Sequence, residues 1–233
     1  MDRILVVGAH AMDAEVMAGA IGIKAVEKGI PVLLAHLTRG ERGHKRKAAE
    51  VFGKQLEQEM ADAARVMQVR QQWAGFMAPL SDSDSVVEWL EEIMTRERIT
   101  RVLTHWIGSW HASHVRAHKA VVAAIDHMGA NPPALFYAEN CEDLTGFQPD
   151  WFVPIEEVYD RWMMALNCYE LFRMSLGRAE NEGSIPYFAY YSSITQVRGR
   201  YVNAGRVQAL MCGKGELPAV LGGLRNPPVE QGN

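Results

Sequence analysis

Cysteine is scarce in this chain. There are only three in 233 residues, Cys141, Cys168 and Cys212, far apart and with no CxxC spacing. That sparse, odd count argues against a disulfide framework and fits a reducing cytoplasm. An excess of positive charge is missing too. The formal net charge is −4, and basic residues are scattered apart from the stretch Arg39 to Lys54, so no nucleic-acid footprint is expected. No apolar run is long enough to cross a bilayer, and no charged segment, apolar core and cleavage site open the chain. A cytosolic protein is predicted. Internal repeats and low-complexity segments are absent as well. What remains is an ordinary globular composition, 48% apolar and 22% charged, in a chain long enough to bury a real core.

Strand and helix signals alternate over the first two thirds. Ile4 to Ala9 reads as a strand, Asp13 to Lys28 as a helix closed by Gly29, and Pro31 to Leu37 as a second strand. A single helix between two strands is a βαβ unit, which implies a parallel pair with a right-handed crossover. Thr38 to Gly53 reads as a functional loop. A helix over Lys54 to Met67, a weaker strand over Val69 to Phe76 and a helix from Ser85 to about Arg98 follow. Next come a strand over Arg101 to His105, a helix from about His111 to Met128, and a strand over Ala134 to Ala138. The pattern then weakens. Asp150 to Pro154 looks extended, Ile155 to Phe172 helical, Ser184 to Ser193 an aromatic loop, and Ile194 to Arg200 a last helix, with Tyr201 to Met211 ambiguous. The expectation is an α/β, Rossmann-like three-layer fold with a mainly parallel sheet. One domain is expected over residues 1–212, with a loosely ordered tail over 213–233.

The chemistry-bearing residues follow the strands. The first apolar run ends in His10, with Asp13 three residues on. Two readings stand for this pair: a strand-end histidine with a helix-capping aspartate, or two metal ligands. A second cluster, His105, His111, His114 and His118, follows another apolar run. His111 and His114 are spaced i, i+3 near a helix start and can share a face, and His118 extends that face by a turn. Two imidazoles and a carboxylate make a divalent-metal site with open positions for water, as in catalytic zinc sites. Trp106 and Trp110 flank the histidines and either stack on a substrate ring or pack the loop. The acidic run from Glu139 to Asp143 follows a strand and points at the same rim, where a carboxylate could orient a metal-bound histidine. Cys141 has no nucleophile signature, His36 reads as structural, and His44 and His127 as exposed.

The strand-Ala-His-x-x-Asp-x-Glu motif, the following Leu37-Thr38-Arg39-Gly40-Glu41-Arg42-Gly43 and the downstream His111-Ala112-Ser113-His114 resemble the LmbE-like, or PIG-L, family of zinc-dependent sugar N-deacetylases. The resemblance runs from Ile4 to Asp126. It implies zinc ligation by His10, Asp13 and His114. It implies that His111 stabilises an oxyanion or protonates the leaving amine. The family motif is typically Ala-His-Pro-Asp-Asp-Glu, and its first aspartate is the general base. Here that position is Met12. A positioned base contributes about 10²–10⁴-fold, and methionine cannot act as one. Ala11 and Ser113 also depart from the family pattern, and an arginine common at the start of the following helix is not evident. The resemblance extends to a hydratase of a carboxylated muconate, which likewise lacks that aspartate.

Glu41 and Glu15 are the candidate substitute bases. Glu41 ranks first, because its glycine-flanked loop is free to approach the metal, whereas Glu15 favours the positive end of its helix. Arg39, Arg42 and Trp110 are the candidate substrate-binding residues. The expected protein is a metal-dependent hydrolase with one zinc ion, an N-deacetylase of an amino sugar or related N-acyl compound. The alternatives are a metal-dependent hydratase, another hydrolase with a non-sugar substrate, or a diverged metal-containing ligand-binding protein. The expected partner is a small molecule, and the resemblance implies a homo-oligomer, a trimer or hexamer.

Overall fold

The apolar run at the start of the chain becomes β1 (Ile4–Gly8), with every residue buried, as a strand covered on both faces requires. In the computed structural model, which describes residues 1–175 and 185–225, β1 lies between β2 (Val32–Thr38) and β4 (Arg101–Thr104), parallel to both. Parallel pairing continues outward to β3 (Arg70–Phe76) on one side and β5 (Ala134–Ala138) on the other. The full order is β3-β2-β1-β4-β5-β7-β6-β8. The last three strands, β6 (Trp151–Pro154), β7 (Val207–Lys214) and β8 (Leu224–Arg225), are antiparallel to their neighbours. The fold is thus the expected three-layer α/β sandwich, with an antiparallel extension on one side.

The period-2 alternation of β1 divides the core. Ile4 and Val6 face one apolar layer, which takes in α1 (Asp13–Glu27), α2 (Ala49–Met67) and α5 (Tyr159–Leu166). Leu5 and Val7 face the other, with α3 (Asp84–Arg96) and α4 (Ala112–His127). Chain order runs β1-β2-β3 to one side of β1 and resumes with β4 on its other side. The carboxyl ends of β1 and β4 therefore form a topological switch point, the crevice where open α/β sheets bind ligands.

Three expectations change in the last third. The helix expected over Ile155 to Phe172 is broken into a 3-10 turn (Glu156–Val158), α5 and α6 (Glu170–Met174). The break at Tyr169, an extended residue with φ −85° and ψ 128°, lets that ring turn fully inward. The expected aromatic loop is instead the first part of α7 (Tyr187–Tyr201), while Ser184 lies outside the described residues. The buried stripe of α7 is Tyr191, Thr195 and Gly199, spaced by four but mostly not apolar, so hydrophobic periodicity is weak there. The expected boundary at 212 falls inside β7. Beyond it, Leu221 is buried and β8 pairs with β6, so the fold continues to Arg225; Pro227 and Pro228 lie outside the described residues.

Helix α1 is buried along nearly its whole length and carries a kink at Ala18, where φ is −145°. The side chain of Gln208, on β7, serves the backbone around that kink. Its Oε1 accepts the Ile21 N–H at 2.9 Å and its Nε2 donates to the Val16 carbonyl at 3.1 Å. Polar backbone groups freed inside a core need such partners.

Candidate metal centre

Gly8 ends β1 where the chain turns back on itself. A Cβ there would stand 2.8 Å from the Ala14 nitrogen and 2.9 Å from the Asp13 Cβ, so glycine permits the close strand–helix approach. Two residues beyond His10, Met12 adopts φ 77° and ψ −24°, a left-handed conformation uncommon outside glycine, asparagine and aspartate. Asp13 then opens α1, and its Oδ2 reaches back to accept the His10 N–H at 2.7 Å. The capping reading and the ligand reading of Asp13 are therefore compatible. On the other strand, His111 is the N-cap residue of α4, and His114 lies within the first turn.

The two strand ends meet at one carboxylate oxygen. His10 Nδ1 lies 3.1 Å from Asp13 Oδ2 and His114 Nε2 lies 3.3 Å from it. Donors held 2.0–2.2 Å from a tetrahedral ion stand roughly 3.3–3.5 Å apart, so these separations suit a shared zinc-sized cation. The donor types, two imidazoles and a carboxylate, suit it as well. The ligand atoms of His10, His111 and His114 fall within 4.8 Å of one another, as do those of Asp13, His105 and His114. His105 is the less suitable donor. Its Nε2 accepts the Ala9 N–H at 3.0 Å, which occupies the lone pair facing Asp13.

The charges follow from this crowding. Burial alone would raise the Asp13 pKa, but the neighbouring His114 cation and the hydrogen bonds from His10 and His114 hold it well below the usual range. Burial alone would lower His114, yet Asp13 and Glu142 on either side push it up to about 10. His105, sealed in the core beside that cation, is pushed down to about 3. His111 is lowered by burial and then by the His114 and His10 charges. Its ring stands edge-on to His10 with centroids 4.9 Å apart, and its buried Nδ1 has no partner among the described residues. A neutral imidazole with an uncommitted nitrogen beside a metal donor set can accept or deliver a proton.

Contacts around the donors come from distant parts of the chain. After β5, Asn140 Oδ1 accepts the Glu142 N–H and Asp143 Oδ2 accepts the Asn140 N–H, a tight turn that presents Glu142. Glu142 Oε2 lies 3.0 Å from His114 Nδ1. A carboxylate on the far nitrogen of a ligating histidine fixes its tautomer and raises its basicity. Of the acidic run expected at this rim, Glu142 is thus the member that reaches His114. Glu139 instead forms a bidentate pair with Arg198.

Several expected roles are revised by where the side chains lie. Glu15 is fully buried. Its Oε1 accepts from the Tyr169 hydroxyl at 2.7 Å and lies 3.3 Å from His36 Nε2, so it is sealed from the cleft. Glu41 is not free to swing: it is 1% exposed, its Oε1 accepts the Ala78 N–H at 2.8 Å, and its Oε2 is buried without a partner. Arg39 is turned away, paired with Glu57 at 2.5 Å and lying over the Trp73 ring. His118 leaves the cluster, its Nδ1 on the His105 carbonyl at 3.0 Å. Trp106 packs the loop, its Nε1 donating to the Thr145 carbonyl. Arg42 is exposed, and Trp110 remains at the rim, 60% exposed with its ring 5.8 Å from that of His111. Cys141 is half-buried, and burial pushes its thiol up to about 12, which leaves it inert.

Two residues with no local signal also shape the site. Tyr169 donates to Glu15 Oε1 at 2.7 Å, and the Met12 backbone is close enough to its hydroxyl to influence its ionisation. His36 has Nδ1 on the His10 carbonyl at 3.3 Å and Nε2 toward Glu15. Burial pushes its pKa down, but the Glu15 carboxylate more than offsets this and the net shift is upward.

A switch point that gathers two imidazoles, a carboxylate and a further uncommitted imidazole is a candidate centre for one divalent metal ion. The particular family follows from comparison. The family model for PIG-L, the GlcNAc-PI de-N-acetylases, matches residues 5–125, and the chain belongs to this family. Solved structures of similar fold include the 4-carboxy-2-hydroxymuconate hydratase of Pseudomonas putida. It is 20% identical with TM-score 0.77, over 94% of this chain and 98% of that one. A conserved protein of Thermus thermophilus is 23% identical with TM-score 0.76, over 94% and 97%. The N,N'-diacetylchitobiose deacetylase of Pyrococcus horikoshii is 15% identical with TM-score 0.74, over 91% and 84%. At these identities the structural likeness speaks to the fold.

Proposed function

We propose that the protein is a zinc-dependent hydrolase that cleaves an N-acyl bond in a small molecule, an amino sugar or a related compound. The observation that carries this reading is the convergence of His10 and His114 on Asp13 Oδ2, with the unpartnered nitrogen of His111 beside them. Family membership supports it. Zinc held by His10, Asp13 and His114 supplies Lewis-acid polarisation of the acyl oxygen and lowers the pKa of water. The remaining work falls to the chain. Glu142 keeps the His114 proton on Nδ1, leaving Nε2 free to ligate. His111, neutral at pH 7, moves the proton: it stabilises the developing oxyanion or protonates the leaving amine. Met12 contributes no acid or base. Glu41, one residue from the glycine that lies against His10, is the remaining carboxylate in this reading, with Oε1 held on the Ala78 N–H and Oε2 unpartnered among the described residues. A cytoplasmic homo-oligomer, trimer or hexamer, is part of the same reading, and the free cysteines are in keeping with a reducing compartment.

A second reading is hydration of an unsaturated carboxylic acid on the same centre. Methionine at the base position favours it, as does the fold shared with a hydratase. One experiment separates the two. Zinc-loaded protein is given N-acetylglucosamine derivatives and, separately, a conjugated unsaturated carboxylic acid. Acetate with free amine supports the hydrolase; loss of the conjugated absorbance with no amine released supports the hydratase. Met12→Asp should raise acetate release about 10²-fold or more. Zinc content at one equivalent with neither reaction in wild type or variant would overturn the enzyme reading. Glu41→Gln should lower kcat with zinc retained.

A further inference from the structure

The segment from Arg39 to Lys47 carries five lysines and arginines and one acid in a chain whose net charge is −4. Two of the five are neutralised: Arg39 pairs with Glu57 and Lys47 with Glu170. Arg42, Lys45 and Arg46 are exposed, with no acidic partner among the described residues. The single acid, Glu41, points inward to the Ala78 N–H. The turn they ride on is anchored to the metal centre. Gly40 has φ 76°, and a Cβ there would stand 3.1 Å from the Cβ of His10. The Gly43 N–H donates to the Gly40 carbonyl at 2.9 Å, closing a tight turn with Arg42 near its tip. Two residues of chain span at most about 7 Å, so Arg42 is tethered close to His10, and a long guanidinium side chain covers a similar distance. Of the three unpaired cations it lies nearest the metal donors along the chain.

The His111 side of the centre has the opposite character. Trp110 stands exposed beside His111, and Leu144, 74% exposed, follows on the adjoining turn. The acids on that side are committed: Glu139 to Arg198, Glu142 to His114, and Asp143 to the Asn140 N–H. The Arg42 side therefore offers unneutralised positive charge, and the Trp110 side offers apolar surface.

We propose that the substrate of this centre carries a carboxylate, which Arg42 binds, and an apolar segment, which lies against Trp110. Lys45 and Arg46 add an attracting field that draws the anion to the cleft. The planar guanidinium accommodates a carboxylate with two parallel hydrogen bonds, which fixes orientation as well as affinity. The inference names the substrate class of the proposed reaction and rests on that reading only for the location of the reacting bond.

The test uses two matched probes, N-acetylphenylalanine and its carboxamide, which share the acyl group and the ring and differ only in charge. Binding to full-length zinc-loaded protein is read from backbone amide chemical shifts, so it needs no turnover. The acid should bind at least about tenfold more tightly than the amide, since a charge-assisted pair contributes on that order. Arg42→Gln should abolish the preference with zinc content and Tm unchanged, Arg42→Lys should restore part of it, and rising salt should weaken it. Trp110→Ala should weaken both probes alike. Equal binding of acid and amide overturns the proposal, as does no binding of either at its solubility limit. So does a preference that survives Arg42→Gln, since the carboxylate would then be bound to the metal. Failure to release acetate from either probe bears on the hydrolase reading alone, because the binding preference is measured separately.

Discussion

Residues 1–128 and the segments from residue 134 onward contribute to the metal centre in different ways. In the first region each strand is followed by a helix, pairing is parallel, and every candidate ligand lies in the loop or first helical turn that follows a strand: His10 and Asp13 after β1, His111 and His114 after β4. The later region is largely antiparallel and supplies none of these donors. It supplies the groups that hold them. Glu142 places a carboxylate oxygen 3.0 Å from His114 Nδ1, Tyr169 donates to Glu15, the Trp162 indole donates to the Glu15 carbonyl, and Gln208 serves the kink in α1. Ligand identity is thus a short-range property of this chain, whereas ligand positioning is a long-range one.

The largest expected effect tests the first half of that contrast. His114→Ala should take zinc from roughly one equivalent to near none in elemental analysis, because a three-ligand set is left with two donors, both from the β1 side. Circular dichroism should be unchanged. Full occupancy in the variant would remove His114 from the ligand set.

Glu142→Gln tests the second half. The amide keeps its shape but cannot act as a carboxylate toward His114 Nδ1, so zinc affinity measured against a competing chelator should fall about 10–100-fold. Unchanged affinity would confine the metal site to the first region.

This division also explains which features are legible in the sequence. The order of strands and helices through His127 was legible, because apolar runs and glycine punctuation are local signals. So were His10, Asp13, His111 and His114, whose spacings are three residues. Tyr169, Trp162 and Gln208 were not, since their partners lie 154, 147 and 187–192 residues away and nothing near them marks the pairing. Arg39 and Glu41 show the converse. Both leave a strand end beside the site, which made them look available, but spacing does not reveal that Glu57 and the Ala78 N–H engage them. In α7, the buried stripe includes Thr195 and Gly199, so a helix was hidden behind an aromatic-rich composition.

A smaller effect measures how firmly the later region holds the earlier one. Tyr169→Phe removes the hydroxyl that serves Glu15 Oε1, leaving a buried carboxylate short of a donor. Unfolding free energy should drop by about 2 kcal/mol. Zinc affinity should also fall, because the same hydroxyl lies at the left-handed Met12 turn between His10 and Asp13. Glycine adopts such a turn without strain. Met12→Gly should therefore restore part of the lost zinc affinity in the Tyr169→Phe background, while doing little in the wild-type background. A loss of stability with no change in zinc affinity would make Tyr169 a core residue only.

The last expected effect concerns pH, and it isolates the turn that carries Glu142. Burial, aided by Glu139 and Glu142, raises the Asp143 pKa to about 7. An unfolded aspartate titrates near 3.9. Between about pH 4 and pH 7 the folded chain therefore holds a proton that the unfolded chain has released, and stability must fall as pH rises through that window. Above about pH 7 both states are ionised and this contribution is flat. Asp143→Asn keeps an oxygen for the Asn140 N–H but cannot ionise. In chelator-treated protein, urea midpoints for the variant should lack that part of the slope. Parallel wild-type and variant curves from pH 4 to 8 would mean that Asp143 ionises normally in the folded chain. The turn presenting Glu142 would then be open to solvent, and the later region's hold on His114 correspondingly weaker.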